Sequence, residues 1–314
     1  MLTISVVIPC YNRAGTIAQA VASALRQTQA ALEVLVIDDG STDASAEIAE
    51  AAGARVIRLA ANGGNAKARN VGIRTASGDA VAWLDSDDYW QPNHLCTVSA
   101  LLDVYPDAAI ASTAIQYIGT RSGNWYGSVP EGSPTSVLRA AFHSTPIPMS
   151  TSLVRRDALV SVGGFDESER YAVDFDLWLR LARRYKFVAA RELTASYCWH
   201  PDQISANPER QWEATYRFRK RVLDDIRSAG EHDLAAELDA LFRQRWRDDV
   251  QHAWDSDRTL WLRRLLELAP LVPKLPLGLR LKWTLRARAL APVLETVRAF
   301  RARARPSRGS RAHI

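Results

Sequence analysis

Over the first two hundred residues, short apolar runs alternate with segments of helical periodicity. Residues 3–8 (TISVVI) are β-branched and almost continuously apolar, the pattern of a strand covered on both faces of a parallel sheet, and the run stops at Pro9. Past the loop 10–13, Ile17, Val21, Ala24 and Leu25 recur at helical spacing, and residues 34–37 read as a second buried strand that breaks at Asp38-Asp39-Gly40-Ser41. That is a βαβ unit. Thr42-Asp43 predicts a cap for a helix over residues 44–52, and residues 54–58 a third strand. Asn62-Gly63-Gly64-Asn65 then turns into a helix whose exposed face offers Lys67 and Arg69, and residues 81–84 are a fourth strand. Right-handed crossovers make these strands parallel and bring their carboxyl ends to one edge, where open α/β sheets bind ligands.

Further along, residues 92–105 predict a helix with proline in its first turn, and residues 108–118 one or two strands. Residues 119–134, rich in Gly, Ser and Pro, read as a mobile loop carrying Trp125 and Tyr126. Residues 152–155 (SLVR) are a strand, 156–162 a helix, and Gly163-Gly164 a turn that sends Phe165 inward. In YAVDFDLWLRLARRY, Phe175, Trp178, Leu181, Ala182 and Tyr185 mark the buried face of a helix, with Asp174 at its start. From Gln211 the pattern changes to long amphipathic helices over 212–227, 234–254 and 260–268. Pro270, Pro273 and Pro276 punctuate a linker, residues 277–300 mix Leu, Trp and Val with arginines, and residues 304–314 predict disorder. The expected organisation is an α/β domain over 1–208, a helical extension over 209–269 and a basic amphipathic segment over 270–314.

Composition agrees with a globular protein: 314 residues, 47% hydrophobic and 24% charged. The long uncharged stretches, 108–120 and 140–154, fall short of a membrane span, and the N-terminus carries no basic leader, so neither a transmembrane helix nor a signal peptide is expected. Cys10, Cys96 and Cys198 are odd in number and lack metal-ligand spacing, which predicts unpaired thiols in a reducing compartment. The net charge of +5 hides an asymmetry, since residues 258–314 hold 14 Lys/Arg against 2 Asp/Glu, leaving 26 against 33 for the rest.

The most informative stretch is residues 81–90, VAWLDSDDYW, where a buried strand ends in the carboxylates Asp85, Asp87 and Asp88. Packing acids this tightly costs repulsion and desolvation, and the fold does not need them for packing; they are tolerable if solvated, protonated or facing a cation. Oxygen ligands suit Mg²⁺ or Mn²⁺, which leaves coordination positions to water and substrate phosphate. A turn whose aspartates cap the next helix fits this stretch equally well. Asp38-Asp39-Gly40-Ser41 likewise reads either as a turn with a helix cap or as a carboxylate for a base or ribose hydroxyl. The Asn62–Asn65 turn is either a pair of caps or a set of free N–H groups facing an anion, with Arg69 adding positive charge.

Seven motifs in order, VVIPCYNR, VLVIDDGSTD, NGGNAKARNVGI, WLDSDDYWQP, GGFDE, VDFDLWLRL and HPDQIS, spread over residues 3–206, closely resemble the family 2 glycosyltransferases. The resemblance implies the GT-A fold, a Rossmann-like, mostly parallel sheet flanked by helices, here with a C-terminal helical extension. It further implies inverting transfer from a nucleotide-sugar, UDP by family habit, to a glycan or lipid-linked acceptor in cell-surface polysaccharide synthesis. Pro9, Tyr11, Asp38, Asp39, Lys67, Arg69, Asp85 and Ser86 would then hold the nucleotide-sugar, Asp87 and His200 an Mg²⁺ or Mn²⁺ ion, and Asp174 would take the proton from the acceptor hydroxyl. Trp125, Tyr126, Asp176 and Trp178 would fall on the acceptor side, with Trp125 and Tyr126 reading equally as anchors that pin their loop to the body. Val173 departs from the family, in which an acidic residue usually precedes the base, and leaves a slip of that role to Asp176 open. The QxxRW arrangement of processive synthases is missing, Phe242 standing in the glutamine position before Arg245-Trp246, which favours single-sugar transfer.

Two other readings are an inactive relative serving as a membrane scaffold or sugar-binding module, and a sugar nucleotidyltransferase. The latter calls for a basic, glycine-rich signature after the first strand, which PCYNR is not. The basic C-terminal segment predicts attachment to an anionic surface on the inner face of the cell membrane, from the cytoplasm; the alternatives are a solvated helical face or a dimer contact. Signatures of nucleic-acid binding are absent.

Overall fold

The computed structural model describes residues 2–126, 133–143, 147–200, 203, 208–255, 265 and 267–272. The chain divides into two compact units, residues 1–229 and 230–314. The first opens with the predicted alternation: strand β1 (Ile4–Cys10), helix α1 (Ile17–Leu25), β2 (Glu33–Asp38), α2 (Ser45–Ala51), β3 (Arg55–Arg58), α3 (Asn65–Thr75) and β4 (Ala80–Trp83). The four strands are parallel in the order β3-β2-β1-β4, and β1 and β2 are buried along nearly their whole length. Proline does not end β1: pairing with β4 stops at Val7, so Pro9, which has no N–H to give, lies beyond that ladder while still paired with β2. Helix α3 lies close on β1, where a Cβ on Gly72 would fall 2.4 Å from Val7 Cγ1. Leu25 is exposed and does not join the buried stripe of Ile17, Val21 and Ala24.

The middle of the chain extends the sheet and is less regular. Strand β5 (Tyr89–Trp90) and helix α4 (His94–Val104) precede one long strand β6 (Ala108–Gly119), whose hairpin partner β7 (Gly123–Trp125) occupies the start of the expected loop. Helix α5 (Pro134–His143), a 3-10 turn Met149–Thr151, strand β8 (Ser152–Arg155) and helix α6 (Arg156–Ser161) follow. Helix α7 (Val173–Ala182) leads into β9 (Lys186–Trp199), a strand that the sequence analysis did not place. Among the described residues these strands complete a nine-stranded sheet in the order β3-β2-β1-β4-β8-β6-β9-β5, with β7 on β6. Strand β8 is antiparallel to both neighbours, so the sheet is mostly rather than wholly parallel. Helix α8 (Pro208–Ser228), which the sequence assigns to the helical extension, falls in the first unit.

In the second unit, α9 (His232–Asp255) buries Leu238, Phe242, Trp246 and Val250 at helical spacing, and the Trp246 indole N–H donates to the Leu265 carbonyl at 3.0 Å. Most of the predicted 260–268 helix and the basic segment beyond residue 272 lie outside the described residues. No described helix is long and apolar enough to cross a membrane.

His94, at the start of α4, is fully buried and stacks on Trp90 with ring centres 4.3 Å apart. Its Nδ1 lies 2.7 Å from Thr194 Oγ1, whose own hydroxyl donates to Thr113 Oγ1 at 2.7 Å. Thr194 must therefore accept from Nδ1–H, and Nε2 is left as a buried lone pair without a partner. Protonating it would bury an unpaired charge, and desolvation lowers the pKa to about 3. The unfolded chain, with an ordinary histidine near 6.5, takes up this proton first, so stability falls as pH drops below about 6.5 and goes on falling to about pH 3. At pH 5 the loss is about 2 kcal/mol. Urea unfolding at pH 7 and pH 5 should show a smaller pH-dependent loss for His94→Phe than for wild type, and parallel losses would remove this role.

Candidate active site

The carboxyl ends of β1, β2 and β4 open onto a cleft of about 680 Å³. Pro9 lines it from the end of β1, Tyr11 and Arg13 from the loop that follows, Asp39 from just past β2, and Arg69 from α3. Asp85, Ser86 and Asp87 follow β4, while Asp174 enters from the start of α7. Residues more than 160 positions apart in sequence thus share one cavity, and all of these except Arg13 are among the candidates singled out in the sequence.

Each carboxylate after β4 has its own counterpart. Asp85 Oδ1 accepts from Arg69 Nη2 at 2.6 Å, and the guanidinium lies over the Phe165 ring at 5.5 Å. Burial raises the pKa of Asp85, and the Arg69 charge opposes it. Asp87 Oδ2 lies 3.0 Å from His200 Nε2 and 3.5 Å from Arg13 Nε. Asp88 turns away from the cleft and is buried, accepting from Ser150 Oγ at 2.6 Å and from the Cys198 N–H at 2.9 Å. Burial, then repulsion from Asp85 and Asp87, pushes its pKa well up. The fold does need this third aspartate: it ties the 3-10 turn before β8 to the end of β9. Ser150 also accepts the Asp85 N–H at 3.1 Å, and its carbonyl takes the Trp90 indole at 2.6 Å.

Asp87 and His200 together form a carboxylate and imidazole donor pair, and among the described residues no group of three or more His, Cys, Asp or Glu is arranged to hold an ion. Such a pair suits a divalent ion that takes its remaining ligands from substrate phosphates and water. Cys10 and Cys198 carry pKa values pushed up to about 12, chiefly by burial, and supply no thiolate.

The wall that carries Asp174 is built around the Gly163-Gly164 turn. Asn70, next to Arg69 on α3, donates to the Phe165 carbonyl and to Glu167 Oε1, both at 2.9 Å, and accepts the Phe165 N–H at 2.8 Å. Gly164 has φ +68°, and a Cβ there would stand 2.5 Å from Asn70 Oδ1, so glycine is required on both counts. Phe165 turns inward against Trp83 as expected. Helix α7 begins after Ala172, a non-glycine residue at φ +50° that lines the cleft, a conformation costing about 1–2 kcal/mol. Asp174 Oδ1 accepts the Phe175 N–H at 2.9 Å, which leaves Oδ2 for a ligand. Burial raises its pKa, against the pull of Arg69 and of the Phe175 N–H.

Several expected residues stand elsewhere. Trp178 is fully buried, its indole donating to the Ile147 carbonyl at 3.1 Å and packing edge-on to Phe187; it is core, not acceptor surface. Asp176 is also buried, two positions past Asp174 and so on another side of the helix, where it pairs with Arg180 at 2.8 Å and with Arg221 of α8. No slip of the base to Asp176 is open there. Asp38 is buried off the cleft, with Oδ2 3.3 Å from the Ser41 N–H and Oδ1 without a partner. Asp39 reaches the cleft, but its two oxygens accept from the Gly63 and Gly64 N–H groups at 2.8 and 2.7 Å, so those groups are not free for an anion. Lys67 is exposed and off the cleft, while Arg69 is buried; the two do not share an exposed face. Trp125 lines the cleft and Tyr126 does not.

Sequence reasoning passed over Ser150, Asn70, Arg13 and the aromatic residues Tyr117, Tyr171, Tyr197 and Trp199, all but Ser150 and Asn70 on the cleft. Arg13, in the loop directly after β1, had a positional signal; Ser150 and Asn70 act through partners 60 to 65 and 95 to 97 residues away, and no local pattern reveals that.

A family model described as glycosyl transferase family 2 matches residues 5–163. Succinoglycan biosynthesis protein ExoU of Rhizobium meliloti (strain 1021) is 33% identical over 214 residues, covering 59% of each chain. The chain spans 58% of the length of the first curated relatives it matches, uncharacterized glycosyltransferases of two Rickettsia species. Among solved structures, S. aureus TarS 1-349 in complex with UDP-GlcNAc superposes with a TM-score of 0.66 at 20% identity, over 95% of this chain and 87% of that one. Mannosyltransferase PcManGT from Pyrobaculum calidifontis, in complex with GDP-Man and Mn²⁺, gives 0.55 at 18%, over 96% and 84%. At such identities the likeness establishes the fold, the GT-A arrangement of the sheet and its helices.

The buried Asp176 depends on two arginines from different helices, so Arg221→Met should leave it half-compensated and cost about 1–3 kcal/mol in urea unfolding. An unchanged midpoint would show that Arg221, which is partly exposed, contributes nothing to holding α8 on α7.

Proposed function

The chain belongs to glycosyl transferase family 2, and from that premise we propose that it moves one sugar from a nucleotide-sugar, a UDP-sugar first, to a hydroxyl of a glycan or lipid-linked acceptor, with inversion, in polysaccharide synthesis. One observation carries the reading: a single cleft holds Asp85, Asp87 and Arg69 together with a carboxylate, Asp174, that keeps one oxygen free. The UDP-GlcNAc bound to TarS, the GDP-Man and Mn²⁺ bound to PcManGT and the succinoglycan role of ExoU support it.

Asp174 Oδ2 takes the proton of the acceptor hydroxyl as that oxygen attacks the anomeric carbon from the face opposite the departing diphosphate. Its raised pKa makes it a stronger base than an ordinary carboxylate once ionised. Asp87 and His200 would hold Mg²⁺ or Mn²⁺, which when bound offsets the charge growing on the diphosphate. Arg69, fixed on Asp85, and Arg13, beside Asp87, add positive charge to the same end of the cleft. Tyr11, Pro9, Asp39 and Ser86 border the nucleotide. Val173 lines the cleft beside the base, so that position gives the acceptor an apolar contact instead of a charge. Phe242, in place of the glutamine of processive synthases, favours release after one transfer. The basic segment over residues 270–314 holds the enzyme at an anionic membrane surface.

Asp174→Asn should lower transfer by about 10²- to 10⁴-fold while UDP-sugar binding with Mn²⁺ stays within about twofold. In the wild type, the rate should fall as pH drops through the pKa of Asp174, which burial raises from its ordinary value. Asp87→Asn should abolish the Mn²⁺-dependent thermal stabilisation by UDP. Survival of transfer in the first variant would move the base elsewhere, and survival of stabilisation in the second would move the ion. Liposome flotation should depend on residues 270–314 and on anionic lipid; equal flotation of the truncated and full chains would remove membrane attachment.

A further inference from the structure

The cleft has a second chemistry besides its acids. Tyr117 on β6 and Tyr197 and Trp199 on the neighbouring β9 form an aromatic wall, with Tyr117 edge-on to the other two at 5.7 and 6.4 Å. All three line the cleft and are only partly buried. The wall begins beside the acids, since His200, which touches Asp87, follows Trp199 directly. Partly exposed aromatic rings in a cleft take the apolar C–H face of a sugar ring out of water.

Above this wall the chain turns back sharply. Gly119 has φ +94°, with no room for a Cβ against the Trp199 carbonyl at 2.5 Å, and Thr120 then donates both N–H and Oγ1 to that carbonyl at 3.1 Å. The turn lays the Arg121 guanidinium over Tyr117 at 4.2 Å and over Trp199 at 5.3 Å. Stacking occupies the faces of a guanidinium and leaves the N–H donors of its plane available, in the fork that matches a carboxylate or phosphate. Among the described residues Arg121 makes no hydrogen bond or ion pair, and neither does Arg170, which lines the cleft four positions before Asp174. Most other arginines of this unit are committed to carboxylates or carbonyls, so an uncommitted one lining the cavity, Arg170, and another stacked on two of its lining aromatics, Arg121, stand out.

We propose that the β6–β9 wall is the acceptor subsite and that it selects an acidic glycan, the acceptor's carboxylate or phosphodiester being bound by the stacked Arg121, with Arg170 adding attraction near the base. The assignment rests on the glycosyltransferase reading above and narrows its acceptor to a charge class.

Binding to the full chain loaded with UDP and Mn²⁺ tests it, with two acid probes and their neutral counterparts: an oligoglucuronate and its methyl ester, and a glycerol-phosphate oligomer and its methyl phosphotriester. At least one acid should bind tenfold or more tighter than its counterpart, and which one does so tells carboxylate from phosphodiester. In Arg121→Gln that gap should shrink below threefold, in Arg121→Lys part of it should return, and UDP–Mn²⁺ affinity should be unchanged in both. Equal binding of acid and neutral forms by the wild type overturns the proposal, as does a gap that persists in Arg121→Gln. Tenfold loss of UDP affinity in that variant assigns Arg121 to the donor and overturns it too. Failure of the wild type to bind UDP–Mn²⁺ at all counts against the underlying function, a result distinct from equal binding with UDP in place.

Discussion

Crowding of three carboxylates at the end of a buried strand is the constraint from which the site follows. Asp85, Asp87 and Asp88 repel one another in a region where water is scarce, and the molecule answers each separately: a guanidinium for Asp85, an imidazole and a second guanidinium for Asp87, a hydroxyl and a backbone N–H for Asp88. The answering groups come from the loop after β1, from α3, from the turn before β8 and from the end of β9. Neutralising the acids therefore gathers the cleft, because no single element carries enough counter-groups to do so alone.

Asp174 reaches that cleft through a different chain of causes. Asn70 clamps the Gly163–Phe165 turn from the helix that also carries Arg69, Ala172 accepts a left-handed conformation, and α7 starts with its first aspartate over the cavity. Arginines of α8 reach back to the same region, Arg217 onto Glu169 at 2.8 Å and Arg221 onto Asp166 and Asp176. The two aspartates of α7 consequently do different things two residues apart. One keeps an oxygen free in the cleft, and the other is consumed by packing one helix on another.

The parallel β3-β2-β1-β4 half was legible because both faces of β1, β2 and β4 are covered, which writes each of these as a short, mostly apolar run between helical segments. The half made of β6, β8 and β9 was less so. Strand β9 carries Arg191, Glu192 and Lys186 among its apolar residues, and its long pairing with β6 includes bulges that break the two-residue alternation. Helix α5 directly follows a stretch of Gly, Ser and Pro that reads as loop, although its buried Val137, Leu138, Ala141 and Phe142 stand at helical spacing.

By itself, the sequence determined where strands end and which residue types stand there: apolar runs stop at acids, glycines and arginines, and those ends meet on one edge because right-handed crossovers leave no other arrangement. It also determined the family, through seven ordered motifs. Only the tertiary structure decided which of the chemically equivalent candidates faces the cavity. Asp39 over Asp38, Asp174 over Asp176 and Asp87 over Asp88 are each choices between side chains one or two positions apart, and such neighbours point in different directions on a strand or helix. Which direction is wet and which is buried depends on elements a hundred residues away, so no local pattern encodes it.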